Sequence, residues 1–585
     1  MKILGICPEA WISSAALIED GKIIAAAPEE RFNREKMSRK FPFLAIQFCL
    51  KEAKCSLEDI DYIAVGWNPG IHIQLFNFRF SDAARWRAEY LYSVPNNLMK
   101  LLKNKKVNYV KQSLMQKNHN CEIIYVTHHH AHAANAFFLS PFKKAAILTV
   151  DGRGEDDTCL YATGKDNKIM DLQTIAIPHS IGLVYSSVTQ FLGFRPHIDE
   201  WKVMALASYY PNENIYYKIF KQIVMPAREG KIEIDLRFFN YYLNDRSEYY
   251  TSLFKNTFGK PRLPHGDITE RHKQIAAGLQ RISEEALAHM LHWLHKKTKM
   301  ENIAVSGGSF MNSVFNGKIK KLTPFKNVFV SSCPDDSGVP LGAALYVYNH
   351  ILSNAPRMEQ THNYYGPKFS NTDIAEALDK AKIKGVFIPN IAKYTANLIS
   401  EGKIVGWFQG KMEFGQRALG NRSIVADPRR KNMKNKLNKA IKYREPFRPF
   451  APSILEEKKL TYFECDANDK SPFMEKVFQI KKEMQKKIPA VTHVDGSGRI
   501  QTVDKKINPL YYQLISEFEK ITGVPIVLNT SFNLNGEPIV CTPNDAIKTF
   551  FSCGMDALVM GNYLLTKKEV VKNKKLLFTK IKERE

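Results

Sequence analysis

The sequence lacks the cysteine pairs and long apolar runs that define several large protein classes. Nine cysteines are scattered over 585 residues, and no two of them form a Cys-x-x-Cys pair. This scatter argues against a four-thiolate zinc site and against a disulfide framework, and reduced thiols are typical of the cytoplasm. No apolar run reaches the roughly 18 residues that a membrane-spanning helix needs. We therefore expect a cytoplasmic protein without a membrane span.

Acidic residues are outnumbered by basic ones. Asp and Glu total 59 against 84 Lys and Arg, which gives a formal net charge of +25. Such a balance suits anionic partners such as phosphates, nucleotides, nucleic acid or a membrane surface. Part of the excess lies in lysine-rich stretches at 100–117 and 567–585, which we interpret as solvated surfaces.

A repeated strand pattern indicates the fold class. Residues 2–31 are predicted to form strand, turn, strand, turn, strand, and residues 145–174 repeat this order. Two similar halves facing a cleft are the plan of the actin/sugar-kinase superfold. Apolar periodicity predicts helices over 42–54, 129–139, 181–192 and 271–297. The polar segment 352–372 is predicted to be a linker, with a domain boundary near residue 355.

A histidine motif gives the first candidate site. His128 and His132 stand four residues apart, so on a helix they share a face and can bind one divalent metal. Asp151 and Asp336 each follow an apolar strand, at positions where side chains point into clefts. Two His and two Asp form a mixed nitrogen and oxygen set that suits Fe(II), Mn(II) or Zn(II). The alternative is a polar surface cluster.

Glycine turns and arginine clusters give two further candidates. The turns at 151–155 and at Gly307-Gly308 would let backbone N–H groups approach phosphate, although ordinary tight turns are the alternative. Arginines recur among glycines and apolar residues at 410–423, 442–450 and 492–499. Arginine forks match phosphate and carboxylate oxygens, so these segments predict a pocket for a dense anion such as carbamoyl phosphate or ATP. Structural pairing, for example with Glu445, is the alternative.

Taken together, these motifs resemble the NodU/CmcH family of carbamoyltransferases, which includes the tobramycin and cephamycin enzymes. The resemblance runs through 128–132, 151–155, 410–428, 442–452 and 529–538 and covers most of the chain. It implies an α/β protein of two domains. Residues 1–355 would form a Kae1-like domain of the actin/sugar-kinase (ASKHA) superfold, and 356–572 a YrdC-like domain, followed by a basic tail at 573–585.

The resemblance also implies a mechanism with two stages. Carbamoyl phosphate and ATP, with or without Mg²⁺, would yield carbamoyl-adenylate in the YrdC-like domain. The intermediate would then pass internally to the Kae1-like domain, where a metal, Fe(II) in family members, helps to position it. There a hydroxyl or amine of a small-molecule or sugar acceptor attacks. Adenylation gives carbamate a good leaving group, and internal transfer limits hydrolysis.

Specific residues are implied for each role. The metal ligands would be His128, His132, Asp151 and Asp336. Carbamoyl phosphate would be held by Arg417, Lys442 and Arg499 as the catalytic set. Substrate or nucleotide binding would involve Lys202, Gly307, Gly308, Asn312, Ser423, Arg444 and Asn529.

The sequence departs from the family pattern near the expected acceptor pocket. Trp11-Ile12 and Trp201 replace residues that are usual in the family, Lys36-Met37 stands where the family has Lys-His, and Gln416 is a further departure elsewhere. These changes leave the acceptor and the choice between O- and N-carbamoylation open. The oligomeric state is open as well, a homodimer included.

Three other functions fit only parts of the sequence. A threonylcarbamoyl tRNA-modifying enzyme would suit the positive charge, but would leave the anion pocket unexplained. A sugar kinase would leave the C-terminal residues without a role, and a hydrogenase-maturation enzyme would need Cys-x-x-Cys zinc motifs. We therefore expect carbamoyl phosphate, ATP and an acceptor as partners, and no nucleic acid.

Overall fold

The computed structural model describes residues 1–8, 12–68, 110, 114, 121–211, 213–243, 246–355 and 357–567. Trp11, most of the lysine-rich stretch 100–117 and the tail 573–585 lie outside the described residues. The chain is a mixed α/β protein that divides into two compact units. The first comprises Met1–Glu29 and Met37–Gln360, and the second comprises Glu30–Lys36 and the described part of Thr361–Glu585.

Two five-stranded sheets of the same topology build the first unit, with strand orders β3-β2-β1-β4-β5 and β8-β7-β6-β11-β12. In each sheet three consecutive strands form an antiparallel meander, and the first of them also begins a run of three parallel strands. The predicted repeat is therefore confirmed. The strands are β1 Lys2–Cys7, β2 Ser14–Glu19, β3 Lys22–Pro28, β4 Tyr62–Val65, β5 Glu122–Tyr125, β6 Lys144–Val150, β7 Asp157–Lys165, β8 Lys168–Ala176, β11 Asn302–Ser306 and β12 Asn327–Val330, with a separate hairpin of β9 Val224–Pro226 and β10 Ile232–Ile234.

The four helices that were predicted before residue 360 agree with observed helices to within two residues at each end. The predicted segments 42–54, 129–139, 181–192 and 271–297 correspond to α2, α3, α4 and α8. The helices are α1 Glu30–Asn33, α2 Phe43–Glu52, α3 His128–Phe137, α4 Ile181–Phe191, α5 Glu200–Ala207, α6 Ile215–Ile223, α7 Ser252–Phe258, α8 Glu270–Thr298, α9 Ser313–Leu322 and α10 Val339–Leu345.

A ten-stranded mixed sheet forms the second unit, in the order β13-β22-β21-β14-β15-β20-β16-β19-β18-β17. Its strands are β13 Val386–Phe387, β14 Val405–Phe408, β15 Arg422–Ala426, β16 Ala451–Leu455, β17 Phe463–Glu464, β18 Lys476–Ile480, β19 Ser497–Val503, β20 Ile526–Ser531, β21 Ala557–Met560 and β22 Tyr563–Thr566. Its helices are α11 Asn371–Lys380, α12 Ile391–Ser400, α13 Met433–Leu437, α14 Lys459–Tyr462, α15 Lys482–Gln485, α16 Pro509–Thr522 and α17 Pro543–Phe551. One apolar core includes the buried Trp407, Phe518 and Phe550.

The segment Glu30–Lys36 belongs to the second unit although it follows β3 of the first. Met37, which departs from the family pattern here, directly follows this segment and belongs to the first unit, and its predicted place near the acceptor pocket stays a prediction. Arg34 donates hydrogen bonds to the carbonyls of Pro538 and Ile539, so the segment is fixed to the C-terminal fold.

The sequence led us to expect reduced cysteines and no membrane-spanning helix. All nine cysteines are free thiols. Among the described residues, no helix combines the length and apolar character required to cross a membrane.

Candidate functional site

Three parallel strands bring the predicted metal-binding region together. β6, β11 and β12 are neighbours in one sheet and run in the same direction, so their carboxyl ends meet at one edge. Asp151 directly follows β6, Ser306 ends β11, and Asp336 lies in the turn after β12. The completely buried apolar residues of β6 after Lys144 hold this edge in the core.

The histidines come from α3, which packs against β6, β11 and α10. His128 and His132 lie one turn apart on the same face, as their spacing predicted. The carboxylate of Glu155 accepts hydrogen bonds from the backbone N–H groups of His128, at 3.0 and 3.1 Å, and of Asn68, at 2.6 Å. Glu155 therefore caps α3 at the residue that carries the first imidazole.

The four predicted metal ligands converge. Nε2 of His128 and Nε2 of His132 are 3.1 Å apart. Oδ2 of Asp151 lies 3.3 Å and 2.9 Å from these two nitrogens, and Oδ1 of Asp336 lies 3.5 Å and 3.8 Å from them. The four ligand atoms are all within 4.8 Å of one another. Two nitrogens and two carboxylate oxygens aimed at one point form a donor set that fits a divalent transition metal.

Electrostatics couple these side chains strongly. Burial disfavours the charged form of His128, but the carboxylates of Asp336 and Asp151 outweigh burial and hold its pKa well above the ordinary value. Burial likewise opposes ionisation of Asp151, yet hydrogen bonds with His128 and His132 hold its pKa well below the usual range. Two ionised carboxylates beside two imidazoles form a site that favours a cation.

Two glycines allow β11 to approach this centre closely. Gly307 has φ +100°, and a Cβ there would lie 2.3 Å from the carbonyl oxygen of Val150. A Cβ on Gly308 would lie 2.8 Å from Oδ1 of Asp151. Their close approach to the metal-binding edge explains both glycines, while their predicted contact with phosphate stays a prediction.

The neighbouring histidines have different roles. Nε2 of His129 donates to the carbonyl of Asp157, at 3.1 Å, and its Nδ1 accepts from Oγ1 of Thr149, at 2.7 Å. Burial, with the charges of His128 and His132, lowers the pKa of His129 to about 3. His129 therefore supports the fold as a neutral side chain. His130 points elsewhere, toward Asp171.

Three residues that contact the candidate metal ligands could not be predicted from the sequence. Ser306 lies with its Oγ 3.3 Å from Nδ1 of His132 and can fix that ring. The ring of Trp67 meets the ring of His128 edge-on, with centroids 5.5 Å apart. Glu155, in the turn after β6, contributes the carboxylate that caps α3. Each depends on a contact between residues distant in sequence, so no local pattern reveals it.

The nucleotide candidates of the first unit have protein partners. Lys202 on α5 pairs with Asp199 at 3.2 Å. Asn312 caps α9 by accepting from the N–H of Phe315, and its amide nitrogen donates to Gln280. Their predicted role toward a nucleotide stays a prediction.

The predicted anion-binding residues Arg417, Lys442, Arg444 and Arg499 form, together with Arg448, a group that we call the cation cluster. Burial and the charges of Arg417 and Arg444 hold the pKa of Arg499 well below the ordinary value. Burial and the charges of Arg444, Arg448 and Lys36 do the same for the pKa of Lys442. The structure therefore brings the three segments into mutual electrostatic contact. Adjacent buried cations repel one another, and a bound polyanion would relieve this repulsion.

Individual contacts orient the cluster. The Lys442 ammonium donates to the carbonyls of Ser531, at 2.6 Å, and Asn533, at 2.9 Å. Arg444 donates through Nε to Asn438, at 2.8 Å, and lies over the ring of Phe450. The pairing with Glu445 that the sequence left open occurs at Arg448, at 3.2 Å.

Ser423 and Asn529 lie beneath the loop that carries Arg417. Oγ of Ser423 accepts from the N–H of Gly420, at 3.0 Å. The amide of Asn529 donates to the carbonyl of Ala418, at 3.1 Å, and contacts Ser453 and Gln501. Both side chains hold the loop, and their binding of a nucleotide stays a prediction.

Comparison with protein families covers most of the chain. The family model described as Carbamoyltransferase N-terminus matches residues 2–345, and the one described as Carbamoyltransferase C-terminus matches residues 396–567.

Individual relatives agree with this match. An uncharacterised protein of Synechocystis is 36% identical over 97% of this chain and 96% of its own length. The nodulation protein NolNO of Sinorhizobium fredii is 36% identical, over 95% of this chain and 79% of that protein. The 3'-hydroxymethylcephem-O-carbamoyltransferase of Streptomyces clavuligerus is 28% identical, over 72% of this chain and 76% of that protein.

Proposed function

Since the chain belongs to the carbamoyltransferase family and is an enzyme that transfers carbamoyl groups, we propose that its donor is carbamoyl phosphate, activated with ATP. The acceptor is a hydroxyl group of a small molecule or sugar. The name of the Streptomyces relative specifies O-carbamoylation, which favours a hydroxyl over an amine here. ATP as a co-substrate and the nine free thiols fit a cytoplasmic location.

The observation that carries the donor assignment is the cation cluster. Five buried or half-buried cations from three segments repel one another, and a polyanion bound among them would offset that repulsion. Carbamoyl phosphate and the triphosphate of ATP are dense anions that arginine forks bind through paired hydrogen bonds. We assign Arg417, Lys442 and Arg499 to carbamoyl phosphate and Arg444 to the nucleotide.

The proposed chemistry proceeds in balanced steps. Water cleaves carbamoyl phosphate to carbamate and phosphate. A carbamate oxygen then attacks the α-phosphorus of ATP, forming carbamoyl-adenylate and releasing pyrophosphate. The acceptor hydroxyl finally attacks the carbamoyl carbon, loses its proton and displaces AMP. The cation cluster stabilises negative charge on the phosphates throughout the first two steps.

We divide these steps between the units. The second unit, as a YrdC-like domain, forms the adenylate, because the cation cluster lies there. The first unit, as a Kae1-like domain of the ASKHA superfold, transfers the group to the acceptor. Its duplicated sheets and the glycine turn beside Asp151 support that assignment.

A metal belongs to the transfer site in this proposal. His128, His132, Asp151 and Asp336 would hold it, and we propose Fe(II). When bound, such an ion supplies a Lewis acid that polarises a carbonyl group. Ser306 orients the ring of His132, and Glu155 fixes the end of α3 from which His128 projects.

Labelled carbamoyl phosphate tests this function. The full chain, loaded with Fe(II), is incubated with carbamoyl-¹⁴C phosphate, ATP and a panel of hydroxylated sugars and small molecules. We expect labelled O-carbamate and AMP in equal amounts, and no labelled product without ATP. Labelled product without ATP, or ADP in place of AMP, would contradict adenylation. A separate arm with threonine and tRNA would detect threonylcarbamoyl transfer.

A further inference from the structure

The segment Glu30–Lys36 makes an unexpected contribution to the second unit. It lies within the part of the chain that matches the N-terminal family model, yet it packs as part of the C-terminal unit. Arg34 anchors it by donating to the carbonyls of Ile539, at 2.7 Å, and Pro538, at 2.9 Å. The C-terminal unit is therefore incomplete without this segment.

Arg31 in this segment is buried more completely than an ordinary structural arginine. Its side chain is only 2% exposed. Nη1 pairs with Glu30 at 2.6 Å, and Nη2 donates to the carbonyl of Gly415 at 2.7 Å. Nε of Arg31 has no hydrogen-bond partner among the described residues. Burying a guanidinium is costly, and an apolar residue could fill the same space. The buried guanidinium therefore joins Glu30 of its own segment to the backbone of Gly415.

Gly415 lies two residues before Arg417, in a loop that has no regular structure and depends on side chains for its shape. The carboxylate of Glu413 accepts from the N–H groups of Leu419, Asn421 and Arg422. Side chains also donate to successive loop carbonyls, namely Arg31 to Gly415, Asn363 to Phe414, Asn529 to Ala418, Tyr364 and Gln501 to Leu419, and Trp407 to Gly420. Such contacts preorganise a binding loop.

Among these donors Arg31 is a charged side chain, and it contacts the loop on the N-terminal side of Arg417. Gly415 has φ +95°, so its peptide group is held in an orientation that few residues adopt. A hydrogen bond from a guanidinium to its carbonyl fixes that orientation. Releasing the carbonyl would let the loop relax and move the Arg417 guanidinium away from the cluster.

We infer that Arg31 is a positioning residue for donor binding, which holds Arg417 in place through the carbonyl of Gly415. The inference rests on the proposed role of the cation cluster. It means that the donor site in the C-terminal unit requires a residue from the N-terminal part of the chain.

Full-length variants test this role by calorimetric binding of carbamoyl phosphate. Arg31→Met removes the hydrogen bond and keeps most of the packing volume. We expect its Kd for carbamoyl phosphate to rise on the order of 10- to 100-fold, as for other displaced binding groups. Arg31→Lys keeps one donor and should recover part of the affinity. Arg430→Met is the matched control, because Arg430 also donates to a backbone carbonyl, that of Ser400 at the end of α12. Its Kd should equal that of the wild type.

A double variant separates positioning from general destabilisation. If Arg31 acts through Arg417, then Arg31→Met should add no further loss of affinity to Arg417→Met. Additive losses, or a wild-type Kd in Arg31→Met, would overturn the inference. A wild type that binds carbamoyl phosphate but forms no AMP would instead overturn the proposed adenylation and leave the binding comparison intact. A wild type that does not bind carbamoyl phosphate would overturn both.

Discussion

At the scale of single residues, Arg417 carries the most direct prediction for the donor site. Arg417→Ala should strongly reduce AMP formation from ATP and carbamoyl phosphate and leave the metal content unchanged. Each charge-assisted hydrogen bond contributes about 1.5–3 kcal/mol, so the loss should be ~10- to 150-fold in donor affinity. Unchanged AMP release in this variant would remove Arg417 from the site.

His129 gives a prediction about pH. Its pKa is lowered to about 3 from the ordinary value of 6.5, because burial and the neighbouring imidazoles disfavour the charged form. The unfolded chain therefore binds a proton that the folded chain does not, and stability should fall as the pH drops from 6.5 toward 3. One such group contributes a slope of at most about 1.4 kcal/mol per pH unit.

Urea unfolding of metal-free protein between pH 6.5 and 4 measures this slope. His129→Gln should show a shallower loss of stability than the wild type. The exposed His265 is a suitable control, and His265→Gln should keep the wild-type slope. Equal slopes for His129→Gln and the wild type would show that His129 is not held neutral.

At the scale of elements, the cap on α3 connects local structure with the proposed metal site. Glu155→Ala removes the carboxylate that accepts from the N–H of His128. Loss of a helix cap costs roughly 0.5–2 kcal/mol, which should lower the Tm by a few degrees. Because His128 lies at the first turn, metal affinity should fall as well.

Glu155→Gln keeps one acceptor oxygen and should lie between the wild type and Glu155→Ala in both measurements. Metal titration and a melting curve on each variant provide the readings. If Glu155→Ala kept the wild-type Tm and metal affinity, the cap would neither stabilise α3 nor position His128.

The elements also show what the sequence could predict. Apolar periodicity predicted α2, α3, α4 and α8, and the repeated order of strands and turns predicted two similar halves, which the structure shows as two sheets of the same topology. The convergence of His128, His132, Asp151 and Asp336 could be anticipated because helix spacing and strand ends are local features. Glu155, Ser306 and Arg31 could not, because each acts through a contact with residues far away in sequence.

At the scale of the whole molecule, the proposed function assigns adenylation to the C-terminal unit and carbamoyl transfer to the N-terminal unit. The sequence indicated a change in pattern near residue 355, and the compact units change at residue 360. That Glu30–Lys36 packs with the second unit could not be predicted from the sequence. Residues that directly follow β3 would be expected to pack with the same unit as β3. Instead, hydrogen bonds from Arg31 and Arg34 to backbone carbonyls fix the segment to the second unit.

His132→Ala tests the separation of the two half-reactions. This variant removes one of the four predicted ligands, so it should lose bound metal and fail to carbamoylate the acceptor. A melting curve with and without metal should show the loss of binding, because a ligand that binds only the folded state raises stability by RT ln(1 + [L]/Kd). Arg417→Ala is the reciprocal variant, which should keep metal and lose AMP formation.

The most direct measurement is therefore the rate of AMP formation from ATP and carbamoyl phosphate by folded His132→Ala protein. We predict that AMP continues to form at a rate close to that of the wild type without acceptor, while carbamoyl-adenylate hydrolyses unproductively. If a folded, metal-free His132→Ala protein forms no AMP, the assignment of adenylation to the C-terminal unit and of metal-dependent transfer to the N-terminal unit is wrong.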